Sequence, residues 1–102
     1  MLKEKEIIEI AKNFIKQIVD QTKIQVIIIP ESTIIKPYGT IFRYTSRKYY
    51  ETRDDRYAVA GNAPFLVENK TGKIIEFGTG QTLEYYVQEY EAGRWPENKR
   101  PV

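Results

Sequence analysis

The segment from Gly61 to Tyr90 constrains the fold more than any other, because it combines two strand patterns, a tight turn and an amphipathic helix. Two apolar runs of strand length, Phe65 to Glu68 and Ile74 to Phe77, flank the sequence Asn69-Lys70-Thr71-Gly72. Glycine adopts the positive φ that such a loop needs without steric cost. The sequence therefore predicts a β-hairpin followed directly by a helix.

The helix after the hairpin has a clear start and a clear stop. Gly78-Thr79-Gly80 ends the second strand, Thr82 is the expected N-cap, and Gly93 is the expected stop. Apolar side chains at helical spacing predict one stripe packed on the hairpin: Leu83, Tyr86, Val87 and Tyr90. The two glycines lack the GxGxxG and GxxxxGK[ST] spacings of phosphate-binding loops, so they predict only a turn.

The N-terminal half contains one helical pattern and two strand patterns. Amphipathic spacing predicts a helix from Lys3 to Thr22, and the β-branched run from Ile24 to Ile29 predicts a strand that ends at Pro30. Residues Glu31 to Gly39 are interpreted as a connection that pairs briefly with the sheet. Thr40 to Tyr50 is predicted to be the next strand.

Alternation along that strand predicts which of its side chains face the core. The core-facing set is Phe42, Tyr44 and Ser46; the water-facing set is Ile41, Arg43, Thr45 and Arg47. A charged loop is expected from Glu51 to Tyr57, and an irregular tail anchored by Trp95 is expected from about residue 94.

The order of these elements predicts the fold class. The pattern is α-β-β-β-β-α with short connections, which favours a single α+β domain over residues 1–102. We expect an antiparallel sheet with both helices packed on one face.

Composition excludes several classes of function. The chain of 102 residues has no cysteine and no histidine, so we expect no disulfide, no structural metal and no cofactor. Its net charge of +2 disfavours a dedicated nucleic-acid binder. No signal-peptide pattern and no membrane-length apolar run is present, so we expect a cytoplasmic protein without membrane contact.

The sequence contains few combinations of side chains that could form a catalytic site. Ser32 and Ser46 have no histidine to activate them, and the tandem acids Asp54-Asp55 are best explained as a salt-bridged loop. Glu68 and Glu76 are expected to face each other across the hairpin, without further support for acid–base chemistry. We therefore expect no enzymatic activity and no catalytic residue.

The segment RYTSRKYYETRDDRY interleaves basic and aromatic side chains. Three interpretations apply: a solvated strand face, a protein interface, or a platform for single-stranded nucleic acid. The candidate partner-binding residues are Arg43, Arg47, Tyr49 and Arg53.

The run YYETRDDRYAVAGNAPFLVENKTGKIIEFGTGQTLEYYVQEYEAG resembles the YrhB-like family, the immunity protein 35 family of bacterial polymorphic toxin systems. The shared features are the GNAPF turn, the hairpin before TGKI, the GT turn and the LEYYVQEYE helix. This resemblance implies a non-enzymatic protein that neutralises a cognate toxin inside the producing cell. A small chaperone-like or housekeeping protein-binding module is the alternative, and the toxin and the oligomeric state stay open.

Overall fold

The computed structural model describes residues 1–58 and 62–96, and three α-helices and six strands lie in these two ranges. In chain order they are α1 (Glu4–Thr22), β1 (Val26–Ile28), β2 (Ile34–Lys36), β3 (Gly39–Phe42), β4 (Tyr44–Ser46), α2 (Arg47–Thr52), β5 (Phe65–Glu68), β6 (Ile74–Glu76) and α3 (Leu83–Glu91). The predicted α+β class and antiparallel pairing are confirmed.

The strands form two antiparallel sheets. The larger has the order β2-β3-β5-β6, and β1 pairs separately with β4. The predicted hairpin joins β5 to β6, with Leu66 opposite Ile75 and Val67 opposite Ile74. Gly72 in its loop has a φ of 78°, as predicted.

The larger sheet is covered on both faces, so the prediction that both helices lie on one face is wrong. Phe65 and Val67 pack with α1, whereas Leu66, which lies between them in β5, packs with α3. Since successive side chains of a strand point to opposite faces, α1 and α3 lie on opposite sides. The uninterrupted apolar run of β5 is typical of a strand that is buried on both sides.

The same arrangement corrects the predicted alternation in the strand before it. Ile41 and Thr45 were expected to face water, but both are buried. Ile41 packs with α3 and its neighbour Phe42 packs with α1, because β3 lies inside the sheet. Arg43 and Arg47 are exposed, as expected.

The long strand predicted from Thr40 to Tyr50 is divided into β3, β4 and α2. The chain leaves the larger sheet at Arg43, whose carbonyl accepts from the N–H of Ile29 at 2.8 Å, and β4 then pairs with β1. Ser46 ends β4, because its hydroxyl accepts from the N–H of Tyr49 at 2.9 Å and so caps α2.

The C-terminal helix agrees with its prediction. The hydroxyl of Thr82 accepts from the N–H of Tyr85 at 3.1 Å, and Gly93 has a φ of 78° after the last turn. The indole of Trp95 packs on Tyr86 and donates to a β6 carbonyl, that of Glu76, at 3.0 Å. The predicted turn at Gly61 and the tail at 97–102 lie outside the described residues. Within the described ranges, no helix has the length and apolar content needed to span a bilayer.

Candidate partner-binding surface

A groove of about 840 Å³ runs between α3 and the segment that leads into β2. One wall is the side of α3 that includes Glu84, Val87 and Gln88, and the other wall is residues 31–34 together with Lys36. Arg43, at the point where the chain leaves the sheet, also lines it. We call this feature the groove.

The groove is lined by apolar and charged side chains, and we call the charged ones its rim. Ile34 and Val87 supply apolar surface from opposite walls. Glu91 of the rim accepts from the hydroxyl of Tyr38 at 2.6 Å and lies 3.6 Å from the ammonium of Lys36. The carboxylate of Glu91 is therefore already engaged within the protein.

Two other charges of the groove have no such partner. Arg43 and Glu84 are both exposed, and neither forms an ion pair with another of the described residues. Side chains of this kind can form charge-assisted hydrogen bonds to a partner without first breaking internal ones.

Helix α2 presents most of the other predicted contact residues. Ser46 caps the start of this helix, and its hydroxyl also donates to the carbonyl of Tyr57 at 2.7 Å. Arg47 is exposed and forms an ion pair with Glu51 at 3.3 Å, and Tyr49 is half-buried. An exposed i,i+4 pair of this type contributes only about 0.3–0.5 kcal/mol, so a partner can readily displace it.

Arg53 ends α2 in an unusual conformation. Its φ of 59° places it in the left-handed region, where glycine is preferred. Its guanidinium lies 4.7 Å from the ring centroid of Tyr50, within cation–π distance. Lys23, at the end of α1, has the same left-handed conformation with a φ of 62°.

Glu31 connects α2 to the groove. It lines the groove, and its carboxylate accepts from the hydroxyl of Tyr50 at 2.9 Å. The pKa of Glu31 is lowered by a hydrogen bond from its own backbone N–H, then by the Tyr50 hydroxyl, and also by the charge of Arg53. The groove and α2 thus form one continuous area, which we call the α2–groove surface.

The four predicted contact residues belong to different parts of this surface. Arg47, Tyr49 and Arg53 belong to α2 or its end, whereas Arg43 lies on the groove. Sequence reasoning expected a strand face and a loop here, because the capping role of Ser46 was not recognised. It also missed Glu31, which is near these residues only in the folded chain.

The acidic pairs considered from the sequence have different surroundings in the structure. The carboxylate of Asp54 accepts from the guanidinium of Arg56 at 2.6 Å, which lowers the pKa of Asp54. Glu76 lies opposite Phe65, so the expectation that it faces Glu68 across the hairpin is wrong. Across residues 1–58 and 62–96, no cluster of three or more acidic side chains suited to a metal ion is found.

Comparison with known proteins gives the following matches. The model of the family described as immunity protein 35 matches residues 5–93. The chain is also similar to the protein named "Uncharacterized protein YrhB" of Escherichia coli strain K12, with 42% identity over 53 residues. That match covers 52% of this chain and 56% of the relative, so just over half the length of the relative is spanned. No solved structure matches the chain.

Proposed function

The chain belongs to the immunity protein 35 family, and we propose that it is a non-enzymatic immunity protein that binds and neutralises a cognate protein toxin inside the producing cell. The observation that carries this proposal is the extent of the family match. Residues 5–93 include both sheets and all three helices except the first residue of α1, so the similarity extends over nearly the whole described fold.

The α2–groove surface supports the proposal as the place of contact. It combines arginine and tyrosine side chains, the residue types that most often dominate the binding energy of protein interfaces. Arg43, Arg47, Tyr49 and Arg53 are the proposed contact residues. A tyrosine provides a large rigid surface, and an arginine provides several donors in a fixed plane.

The charge distribution favours recognition through individual pairs of opposite charges over attraction between two protein surfaces of opposite net charge. The net charge is only +2, and the α2–groove surface carries both signs, as in Arg47 with Glu51 and in Glu31 beside Arg53. Mixed charges of this kind contribute specificity, since a wrong partner would place like charges together. We propose that neutralisation results from steric coverage of the toxin by this surface.

A growth assay tests the proposal. Cells express the product of the open reading frame directly upstream, as the candidate toxin, with or without this chain, and survival is counted. We expect the wild-type chain to restore growth. Arg47→Ala and Tyr49→Ala should both weaken protection. Arg47 is exposed, so its substitution should change stability by about 0.5 kcal/mol or less, whereas the half-buried Tyr49→Ala should stay folded with a somewhat larger loss.

Two further variants complete the assay. Phe65→Ala should abolish protection by unfolding the protein, because Phe65 is fully buried between Phe14 and Phe42. Lys16→Ala, on an exposed position of α1, should protect as well as wild type. Full protection by both α2 variants would place the interface elsewhere, and no protection by the wild type would refute the proposed function.

A further inference from the structure

We infer that the groove receives one amphipathic helix of the toxin, which lies beside α3 and over β2. This inference rests on the proposed function and specifies the part of the toxin that is recognised. Four observations lead to it. They are the uncovered part of the sheet, the spacing of side chains on α3, the few backbone groups of β2 that can pair with an added strand, and the charges of Arg43 and Glu84.

The sheet face that carries α3 has space for a second helix. At a strand spacing of about 4.8 Å, the outer strands of this four-stranded sheet lie about 14 Å apart and β2 lies about 10 Å from β5, whereas packed helices lie about 8–10 Å apart. The buried contacts of α3 are with β3, β5 and β6, through Ile41, Leu66 and Ile75. Ile34 of β2 faces the same side, since it lies opposite Ile41, but it remains 37% exposed.

The wall that α3 presents to this space has the spacing of a helix–helix contact. The lining residues Glu84, Val87, Gln88 and Glu91 lie at i, i+3, i+4 and i+7. Side chains at these positions form one stripe along a helix, and such stripes are the ridges that fit between the side chains of a neighbouring helix.

The edge of β2 cannot pair with an added strand over more than one residue. The N–H of Asn69 donates to the carbonyl of Tyr38, which shows which residues of β3 hydrogen-bond to β5. Hydrogen-bonded and non-hydrogen-bonded pairs alternate along antiparallel strands. The N–H and C=O of Ile35 therefore point away from β3. At the neighbouring outward positions, the N–H of Thr33 already donates to Pro30, and Pro37 has no N–H. The carbonyl of Pro37 also accepts from the Asn69 amide at 2.9 Å. At this edge of the sheet, recognition is therefore expected to use side chains in the groove and not an added strand.

The charges of the groove specify the chemistry of the incoming helix. Arg43 favours a carboxylate on the partner, and Glu84 favours a lysine or an arginine. Between them the helix must present apolar side chains to Ile34 and Val87. The occupant is thus an amphipathic helix with an apolar stripe bordered by one acidic and one basic residue.

A single fluorescent label tests whether the groove is occupied in the complex. The chain has no cysteine, so Gln88→Cys provides one attachment site for an environment-sensitive dye on the groove wall. Lys16→Cys on α1 is the matched control, since it lies on the other side of the sheet. Addition of the purified candidate toxin, the product of the open reading frame directly upstream, should shift the emission of the groove label to shorter wavelength and leave the control unchanged. If the complex forms but the emission wavelength of the groove label does not change, the inference is overturned while the proposed function stands.

Charge reversal tests the predicted pairing. Glu84→Arg should weaken binding of the same candidate toxin by about tenfold or more, whereas Glu4→Arg should not change it. Both positions lie in the first turn of a helix, so both substitutions lose the same favourable interaction with the helix dipole. Equal affinity for Glu84→Arg and wild type would overturn the inference.

Hydrogen exchange distinguishes a helix from a strand in the groove. The amide of Ile35 should exchange at a similar rate with and without the toxin if a helix binds. Strong protection of this amide in the complex would indicate strand addition and would contradict the inference. Failure of the wild-type chain to form any complex would refute the proposed function, and with it the inference.

Discussion

The hydroxyl of Tyr90 in α3 donates a hydrogen bond to the carboxylate of Glu68 at the end of β5. The ring of Tyr90 also packs against that of Tyr38, with 5.0 Å between centroids. Burial and the hydrogen bond to Glu68 raise the pKa of Tyr90 to about 12. These contacts hold α3 on the sheet and thereby fix the wall of the groove.

Stability should therefore fall at high pH. Tyr90 keeps its proton in the folded protein up to a pKa of about 12 but loses it near its ordinary value of 10.0 in the unfolded chain. The stabilisation is complete below pH 10 and is lost as the pH rises toward 12. Urea unfolding between pH 8 and 12 should show a smaller loss for Tyr90→Phe than for wild type. The exposed Tyr85→Phe is the control, and an identical loss in all three proteins would contradict this assignment.

Gly72→Ala should destabilise the protein more than Gly93→Ala. Both glycines have a φ of 78°, so both substitutions incur the same backbone strain of about 1 kcal/mol. A Cβ at Gly72 would lie 2.8 Å from Cδ1 of Ile10 in α1, whereas a Cβ at Gly93 would meet nothing within 4 Å. We expect roughly 1–3 kcal/mol for Gly72→Ala in thermal or urea unfolding. Equal losses for the two variants would show that the hairpin does not pack against α1.

Ser46→Ala should cost more stability than the equivalent change at another helix cap. The buried hydroxyl of Ser46 both accepts from Tyr49 and donates to Tyr57, whereas that of Thr82 is exposed and only accepts from Tyr85. We expect a loss of about 2 kcal/mol for Ser46→Ala and about 1 kcal/mol for Thr82→Ala. Faster amide exchange confined to α2 would accompany the first. Equal losses would indicate that the bond to Tyr57 contributes nothing.

Arg53→Gly should weaken binding of the toxin without lowering the stability of the fold. Glycine relieves the left-handed strain at this position, so the variant should be as stable as wild type or more stable by a few tenths to about 1 kcal/mol. It also removes the guanidinium that lies over Tyr50, so protection against the toxin should weaken. Lys23→Gly relieves the same strain at the end of α1 and should keep full protection. Loss of protection by both variants, or by neither, would remove Arg53 from the interface.

The elements that the sequence predicts well are those defined by local patterns. The hairpin, the cap at Thr82 and the apolar stripe of α3 each depend on residues within a few positions of one another. The short α2 was missed because six residues contain too little periodicity to outweigh the β-branched and aromatic side chains around it. Its cap at Ser46 depends on Tyr57, which is eleven residues away.

The assignment of the helices to one face failed for a different reason. The run Phe65-Leu66-Val67 contains no alternation, and this signals burial on both sides but does not say which helix covers which side. The contact residues were identified as exposed basic and aromatic side chains, which needs only local sequence. Their connection to the groove through Glu31 and Tyr50 spans 19 residues and comes from tertiary structure alone.

Calorimetric titration of the purified chain into the product of the open reading frame directly upstream is the decisive test of toxin binding. We predict a one-to-one complex with a Kd of about 1 μM or tighter, because specific interfaces of standard size range from μM to pM affinity. Arg47→Ala, Tyr49→Ala and Arg53→Gly should each weaken this complex while remaining folded. A Kd weaker than about 1 μM for the wild-type chain, or no detectable binding heat and no complex on gel filtration, would contradict the proposed function.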